Sequence, residues 1–276
     1  MFTWQMIAAL MANYCFGGFI CVHLRSSAVY RFMASSAISR QDNQPVFVLH
    51  TYPFRETSLV VELFSRQFGR IAAVAKGARR PRSAMRGMLQ SFQPLLAAWS
   101  GKSELRNLHT LEWGEGLLLL QGKALMCGFY LNELLLRLLA REDPHDLLFD
   151  YYRDALRELM LTGQDMAPVL RRFELRLLQE MGYAVSLQHD ASGVQIVAES
   201  GYVYVVERGV VPLGTADVEN MGVQLFGRTL LNMAREDYSD AVTQQQSKLF
   251  MRALLGHYLG DKPLHTRQLL MDLQQI

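Results

Sequence analysis

Cysteine is nearly missing from this chain. Three occur in 276 residues (Cys15, Cys21 and Cys127), and no two have CxxC spacing. That excludes a disulfide-stapled scaffold and a four-cysteine zinc site. Catalytic signatures are missing too: there is no HExxH and no GxSxG. Gly101–Lys102–Ser103 echoes the end of a phosphate-binding loop, but the earlier glycine that such a loop needs falls on Leu96. His50, His109 and His145 show no ligand spacing, and His189–Asp190 reads as a turn or capping pair. Between positions 45 and 110 the only acidic residues are Glu56, Glu62 and Glu104, which leaves no carboxylate cluster of the kind a metal-dependent nuclease uses.

The first 24 residues hold no Asp, Glu, Lys or Arg, and Arg25 and Arg31 follow. The stretch is long enough to span a bilayer, but Asn13, Gln5, His23 and Gly17–Gly18 interrupt it, and it has no basic leader or clear cleavage site. The expectation is that residues 1–44 are an N-terminal extension, a non-native start or disordered, of which 1–32 precede the true beginning at Met33. The alternative is a membrane-tethered interaction adaptor that uses this segment as its anchor. If Met33 is the start, Cys127 is the one remaining cysteine, which suits a reducing cytoplasm.

What is present is the composition of a folded protein, 50% hydrophobic and 20% charged. The net charge of +2 hides an asymmetry: residues 1–44 carry +2, residues 45–110 carry +7 and residues 111–276 carry −7. A basic front and an acidic back point to modules with different partners. VFVLHTY, SLVVELFS, RIAAVAKG, QPLLAAWS and LRNLHTLEW are short strand-like runs separated by turn residues, which suggests a small barrel over 45–118. From 119 to 276 the period becomes helical. Helices are expected over 123–141, 143–161 (Asp143 as N-cap, Pro144 in the first turn) and 168–181 (closed by Gly182). Further helices are expected near 225–236, 240–259 and 264–274, with a hairpin at 194–206 around Ser200–Gly201. Glu133 and Arg137 have the spacing of an intrahelical ion pair. The fold class read from this is α+β: an N-terminal OB-type barrel, then a mainly helical region with a small hairpin insertion.

One segment carries chemistry. RIAAVAKGARRPRSAMR, residues 70–86, holds Arg70, Lys76, Arg79, Arg80, Arg82 and Arg86 and no acidic residue. Cations concentrated on a barrel loop, with no carboxylate competing, are the footprint of a nucleic-acid backbone site. Phe47, Phe64, Phe68, Phe92 and Trp99 lie in the same region and are mostly core candidates, some of which could stack on bases.

FVLHTYPFRETSLVVELFS, GRIAAVAKGARRPRS, LQSFQPL, YLNELLLRLL, RRFELRLLQEMGY and YLGDKPLHTRQLL together resemble the RecO family of bacterial recombination mediators, over about residues 45–271. The resemblance implies an OB-fold followed by a helical domain. It implies binding of single- and double-stranded DNA, annealing of complementary strands, and no enzymatic activity. It implies partnership with RecR and single-stranded-DNA-binding protein (SSB), through which RecA is loaded at gaps, in the cytoplasm and on the nucleoid, with no small-molecule substrate. The family's DNA-contacting loop falls on Lys76, Arg79 and Arg80, and Arg82 and Arg86 continue the patch. Its site for the acidic SSB tail falls on the helix that begins at Pro168, at Arg171. Arg171, Leu175 and Leu178 share one helix face, and Arg172 and Arg176 lie beside it. Many relatives hold a zinc ion in the stretch matching 187–212. This chain has no cysteine after Cys127, so no metal or other cofactor is expected.

Overall fold

The computed structural model describes residues 40–260 apart from 115, 117–118, 162–164 and 216–221, together with 263–266 and 268–269. Residues 1–32, for which a non-native start or an anchor is expected, lie outside the described residues, as does much of the expected helix at 264–274.

Five strands close into a barrel: β1 (Arg40–Phe54), β2 (Ser58–Ser65), β3 (Gly69–Ala75), β4 (Leu95–Ser100) and β5 (Leu105–Trp113). Their order around the barrel is β1-β2-β3-β5-β4. The β3–β5 pair is parallel and the others are antiparallel, which is the OB arrangement. β1 starts earlier than the sequence suggests. Arg40 and Gln41 pair with Ser100 and Trp99 and complete the closure against β4.

Alternation gives the barrel two apolar faces. Val46, Val48, Val61, Leu63, Ile71, Ala73, Leu95, Ala97, Trp99 and Leu111 fill the interior. Phe47, Leu49 and Phe64 point outward and join a second core built by the helices. There the Phe47 ring lies 5.2 Å from Phe149 and 5.0 Å from Tyr152, centroid to centroid. A β-bulge between Val48 and His50 takes Leu49 out of register with β2, and its carbonyl accepts instead from Asn132 Nδ2 at 2.9 Å. Tyr152 Oη donates to Asn132 Oδ1 at 2.5 Å, so one buried asparagine joins the barrel to two helices.

The helical part runs α1 (Gly122–Leu138), α2 (Asp146–Leu161), α3 (Ala167–Glu180), β6 (Gly201–Val205), β7 (Gly209–Pro212), β8 (Val223–Phe226), α4 (Gly227–Ala234) and α5 (Ala241–Leu259). α3 closes as expected. Gly182 has φ +84°, its N–H donates to Gln179 O, and Tyr183 N–H donates to Leu178 O at 2.8 Å. Three expectations need correction. α2 starts at Asp146, because Glu142 N–H bonds Arg70 O and holds residues 142–145 against β3. Asp143 and Pro144 therefore precede the helix, and Asp143 Oδ2 lies 3.4 Å from His145 Nε2. The hairpin is β6–β7, with its turn at 206–208 rather than at Ser200–Gly201, and β8 adds a third strand on the other side of β6. Glu133 accepts from the backbone N–H groups of His265 and Thr266, and Arg137 donates to the carbonyls of Leu259 and Pro263. Both residues thus tie α1 to the far end of the chain.

Among the described residues no helix is long and apolar enough to cross a membrane.

Candidate nucleic-acid interface

The basic segment leaves the barrel at the end of β3 and is an ordered turn system. Gly77 has φ +67°, a conformation that glycine adopts without strain. Arg79 N–H donates to Thr57 O at 2.9 Å, which fixes the loop to the β1–β2 turn. Arg80 N–H returns to Gly77 O, Ser83 N–H to Arg80 O and Arg86 N–H to Ser83 O, and a 3-10 turn follows at Ala84–Gly87. Ala78 is buried in the barrel core, and Met85, Met88 and Leu89 pack against it. Small and apolar residues face inward, so the charged ones face out. Lys76, Arg79, Arg80, Arg82 and Arg86 are all exposed. Among the described residues none of the five pairs with a carboxylate; the arginines that do are Arg40, Arg66, Arg106, Arg141, Arg153, Arg157, Arg171, Arg172, Arg176 and Arg228. The field above the loop is that of five uncompensated cations on a fixed support.

Arg70 stands apart from them. Its Nη1 donates to Leu136 O at 2.6 Å, and its Nε is buried without a partner. Burial lowers its pKa, opposed by Glu62. Beside it Arg141 bonds the buried Glu62, and Arg66 Nη2 meets Asp150 Oδ2 at 2.8 Å. These groups join barrel to helices.

The aromatic candidates are inside. Phe47, Phe64, Phe92 and Trp99 are buried, and Phe68 packs edge-on to Trp99 at 5.4 Å. Among the described residues two barrel aromatics are 46% accessible, Trp113 at the end of β5 and, on the strands that lead into the loop, Tyr52 on β1, with His50 edge-on to it at 4.4 Å. Sequence reasoning passed over Tyr52 because the bulge at Leu49 flips the strand's alternation, and nothing local in VFVLHTY marks that bulge.

On α3, Arg171, Leu175 and Leu178 do share a face, but it is the core-facing one. Leu175 and Leu178 are 7% and 1% accessible, so neither lines an open groove. Arg171 Nη2 lies 2.6 Å from Glu174 Oε1, and the Arg171 side chain is 12% accessible while that of Glu174 is fully buried. Tyr130 Oη also donates to Glu174 Oε1 at 2.6 Å. Burial pushes the Glu174 carboxyl above its ordinary range, and Arg171 and Tyr130 pull it back. Arg172 and Arg176 lie on the outer side. Arg172 pairs with Glu158 and Arg176 with Glu236, and the Arg176 guanidinium stands 5.0 Å over the Tyr151 ring. A shallow groove between α2 and α3 is lined by Tyr151, Ala155, Val169 and Phe173, by these two arginines, and by the carboxylates Asp154, Glu158 and Glu236.

Among the described residues no group of three or more His, Cys, Asp or Glu is placed to hold a metal. Within the stretch 187–212 Asp190 closes a local turn: its Oδ1 accepts from Ser192 N, Ser192 Oγ and Val194 N at 2.7–2.9 Å. The Ser192 hydrogen bond holds the Asp190 carboxyl below its usual range.

Two family profiles match the chain: recombination protein O N terminal over residues 40–116 and recombination protein O C terminal over residues 119–268. The chain belongs to the recombination protein O family. The seam between the two profiles falls in the segment between β5 and α1, so each profile takes one half of the fold. Relatives named DNA repair protein RecO are similar over most of its length. The protein from Nitrosospira multiformis is 57% identical over 238 residues, covering 86% of this chain and 98% of the relative. That from Aromatoleum aromaticum is 54% identical with the same coverage, and that from Dechloromonas aromatica is 48% identical over 240 residues.

Proposed function

We propose that this RecO-family chain is a DNA repair and recombination mediator that binds single- and double-stranded DNA through the loop Lys76–Arg86 and performs no covalent chemistry. The observation that carries the reading is the set of five exposed, unpaired cations on one anchored loop of an OB barrel. Backbone neutralisation at such a loop lets two complementary strands approach, which is the physical requirement for annealing. With SSB and RecR it would promote RecA loading at gaps, in the cytoplasm at the nucleoid.

The SSB tail is acidic and ends in an apolar ring. Of the candidate residues Arg171, Arg172, Leu175 and Leu178, the accessible one is Arg172. We therefore assign tail binding to the outer side of α3, where the tail's carboxylates would take Arg172 and Arg176 from their partners Glu158 and Glu236 and its ring would meet the groove walls Tyr151 and Phe173.

The test is the salt dependence of single-strand binding. Five phosphate contacts give a slope of log K against log salt of about −3.5, and loss of two gives about −2. Arg79→Glu with Arg80→Glu should flatten the slope by that amount. An unchanged slope in a variant that melts like the parent would remove the loop from the interface.

A further inference from the structure

The outer face of β1, β2 and β3 next to the basic loop carries an apolar strip that neither core uses. Tyr52 pairs with Val60, and Val60 pairs with Val74, so the three side chains lie in one row across the sheet. None of them joins the barrel-interior or helical clusters, as the inward-facing neighbour residues Val61 and Ala73 do; Val74 is buried at the foot of the row, Val60 is half-buried and Tyr52 is its exposed end. Tyr52 is 46% accessible, and His50, two residues back, turns its ring edge-on to it. The row is bracketed by cations. Lys76 follows β3 two residues after Val74, about 7 Å along the strand. Arg79 is pinned to the β1–β2 turn at Thr57, and Arg55 stands in that turn with its guanidinium 5.2 Å over the Phe54 ring.

An exposed tyrosine on a flat apolar bed, beside unpaired cations, is complementary to an unstacked base whose phosphates run along the cations. It does not suit duplex DNA, whose bases are already stacked and whose outer surface is phosphate. We propose that Tyr52, in register with Val60 and Val74, is a base-stacking platform that strengthens the binding of single strands and adds nothing to the binding of duplex. The inference rests on the reading of Lys76–Arg86 as the phosphate site. It adds the contact that distinguishes the two kinds of DNA at that site.

The experiment compares the full chain, Tyr52→Ala and Tyr52→Phe for binding to a labelled oligothymidylate and to a duplex of equal length, each over a salt series. The exposure of Tyr52 makes both variants compatible with the fold, and a thermal melt checks this. Tyr52→Ala should weaken single-strand binding by about five-fold or more. Its duplex affinity and its salt slope should stay those of the parent. Tyr52→Phe, which keeps the ring, should bind within about two-fold of the parent, a margin below one stacking contact. Equal single-strand affinity in Tyr52→Ala and the parent overturns the platform, as does an equal loss on both DNAs or a loss in Tyr52→Phe as large as in Tyr52→Ala. A parent chain whose binding shows no salt slope overturns the phosphate site, and the platform with it. The two failures are therefore told apart by the parent's own slope.

Discussion

Arg171→Ala should cost the protein much of its stability at neutral pH, whatever it does to partner binding. Glu174 is fully buried and Arg171 nearly so, and they pair at 2.6 Å. Glu174 Oε2 and Arg171 Nε have no hydrogen-bond partner, so the pair is already incompletely satisfied. Removing the guanidinium leaves a buried carboxylate with Tyr130 Oη as its remaining polar contact among those described. Breaking a buried pair on one side costs about 3–5 kcal/mol. In a unit of the size of residues 38–276 that lowers Tm by roughly 6–20 °C.

The pH dependence gives the sign. Burial raises the Glu174 carboxyl in the folded state, and Arg171 opposes the rise. A carboxyl that holds its proton more tightly folded than unfolded loses stability as pH climbs from its ordinary value, about 4.3, through the folded value. Without Arg171 the folded value moves further up, so the variant's deficit should be greatest at pH 7 and shrink as the pH falls towards the ordinary carboxyl range and Glu174 takes up its proton. Glu174→Gln keeps an acceptor for Tyr130 and removes the charge. The double variant should therefore melt above Arg171→Ala, with a coupling of about 1 kcal/mol or more. Differential scanning calorimetry of the four proteins at pH 5 and pH 7 measures all of this. A parent-like Tm for Arg171→Ala at pH 7, or a deficit that grows on acidification, would refute the reasoning.

Asn132→Ala should destabilise by roughly 2–6 kcal/mol, since it orphans both Leu49 O and Tyr152 Oη at the seam between barrel and helices; a denaturant titration with an unchanged midpoint would count against the seam. Gly69→Ala places a Cβ 1.9 Å from Asp143 O at φ +64°, so residues 142–145 must shift and stability should fall by at least about 2 kcal/mol; proteolysis at this segment should quicken with it. Arg172→Ala with Arg176→Ala should weaken capture of an acidic, ring-terminated SSB tail peptide while changing Tm by no more than a few degrees, because their present ion pairs are partly exposed; anisotropy equal to the parent's would move the tail site off α3.

The barrel was legible because its strands are β-rich and cut by turn residues, and each of the runs from VFVLHTY to LRNLHTLEW falls on one of the five, although β1 begins six residues before its run, at Arg40. The loop was legible because charge cannot hide in a core: a run of cations with no acid nearby must face water. What failed to show was direction. The spacing of Arg171, Leu175 and Leu178 fixes that they share a side of α3, and that side packs inward because α1, α2 and α5 meet it there. Arg70 reads as part of the basic run, yet its alternation puts it on the outer barrel face that Leu136 covers. In both cases the deciding neighbour is distant in sequence.

That distance explains how one barrel keeps two kinds of outer surface. Along β1 the outward positions Phe47 and Leu49 are sealed by Phe149, Tyr152 and Asn132, and three residues later Tyr52 stands in solvent. The switch occurs at the bulge, where Leu49 gives its carbonyl to Asn132 and leaves the ladder. The helices therefore do more than add a second core. By holding the bulge they set which face β1 shows beyond it, and so where Tyr52 points relative to the basic loop. Loss of Asn132 should then reduce single-strand binding more than duplex binding even under conditions where the chain stays folded, because the face that carries Tyr52 is the one the bulge controls.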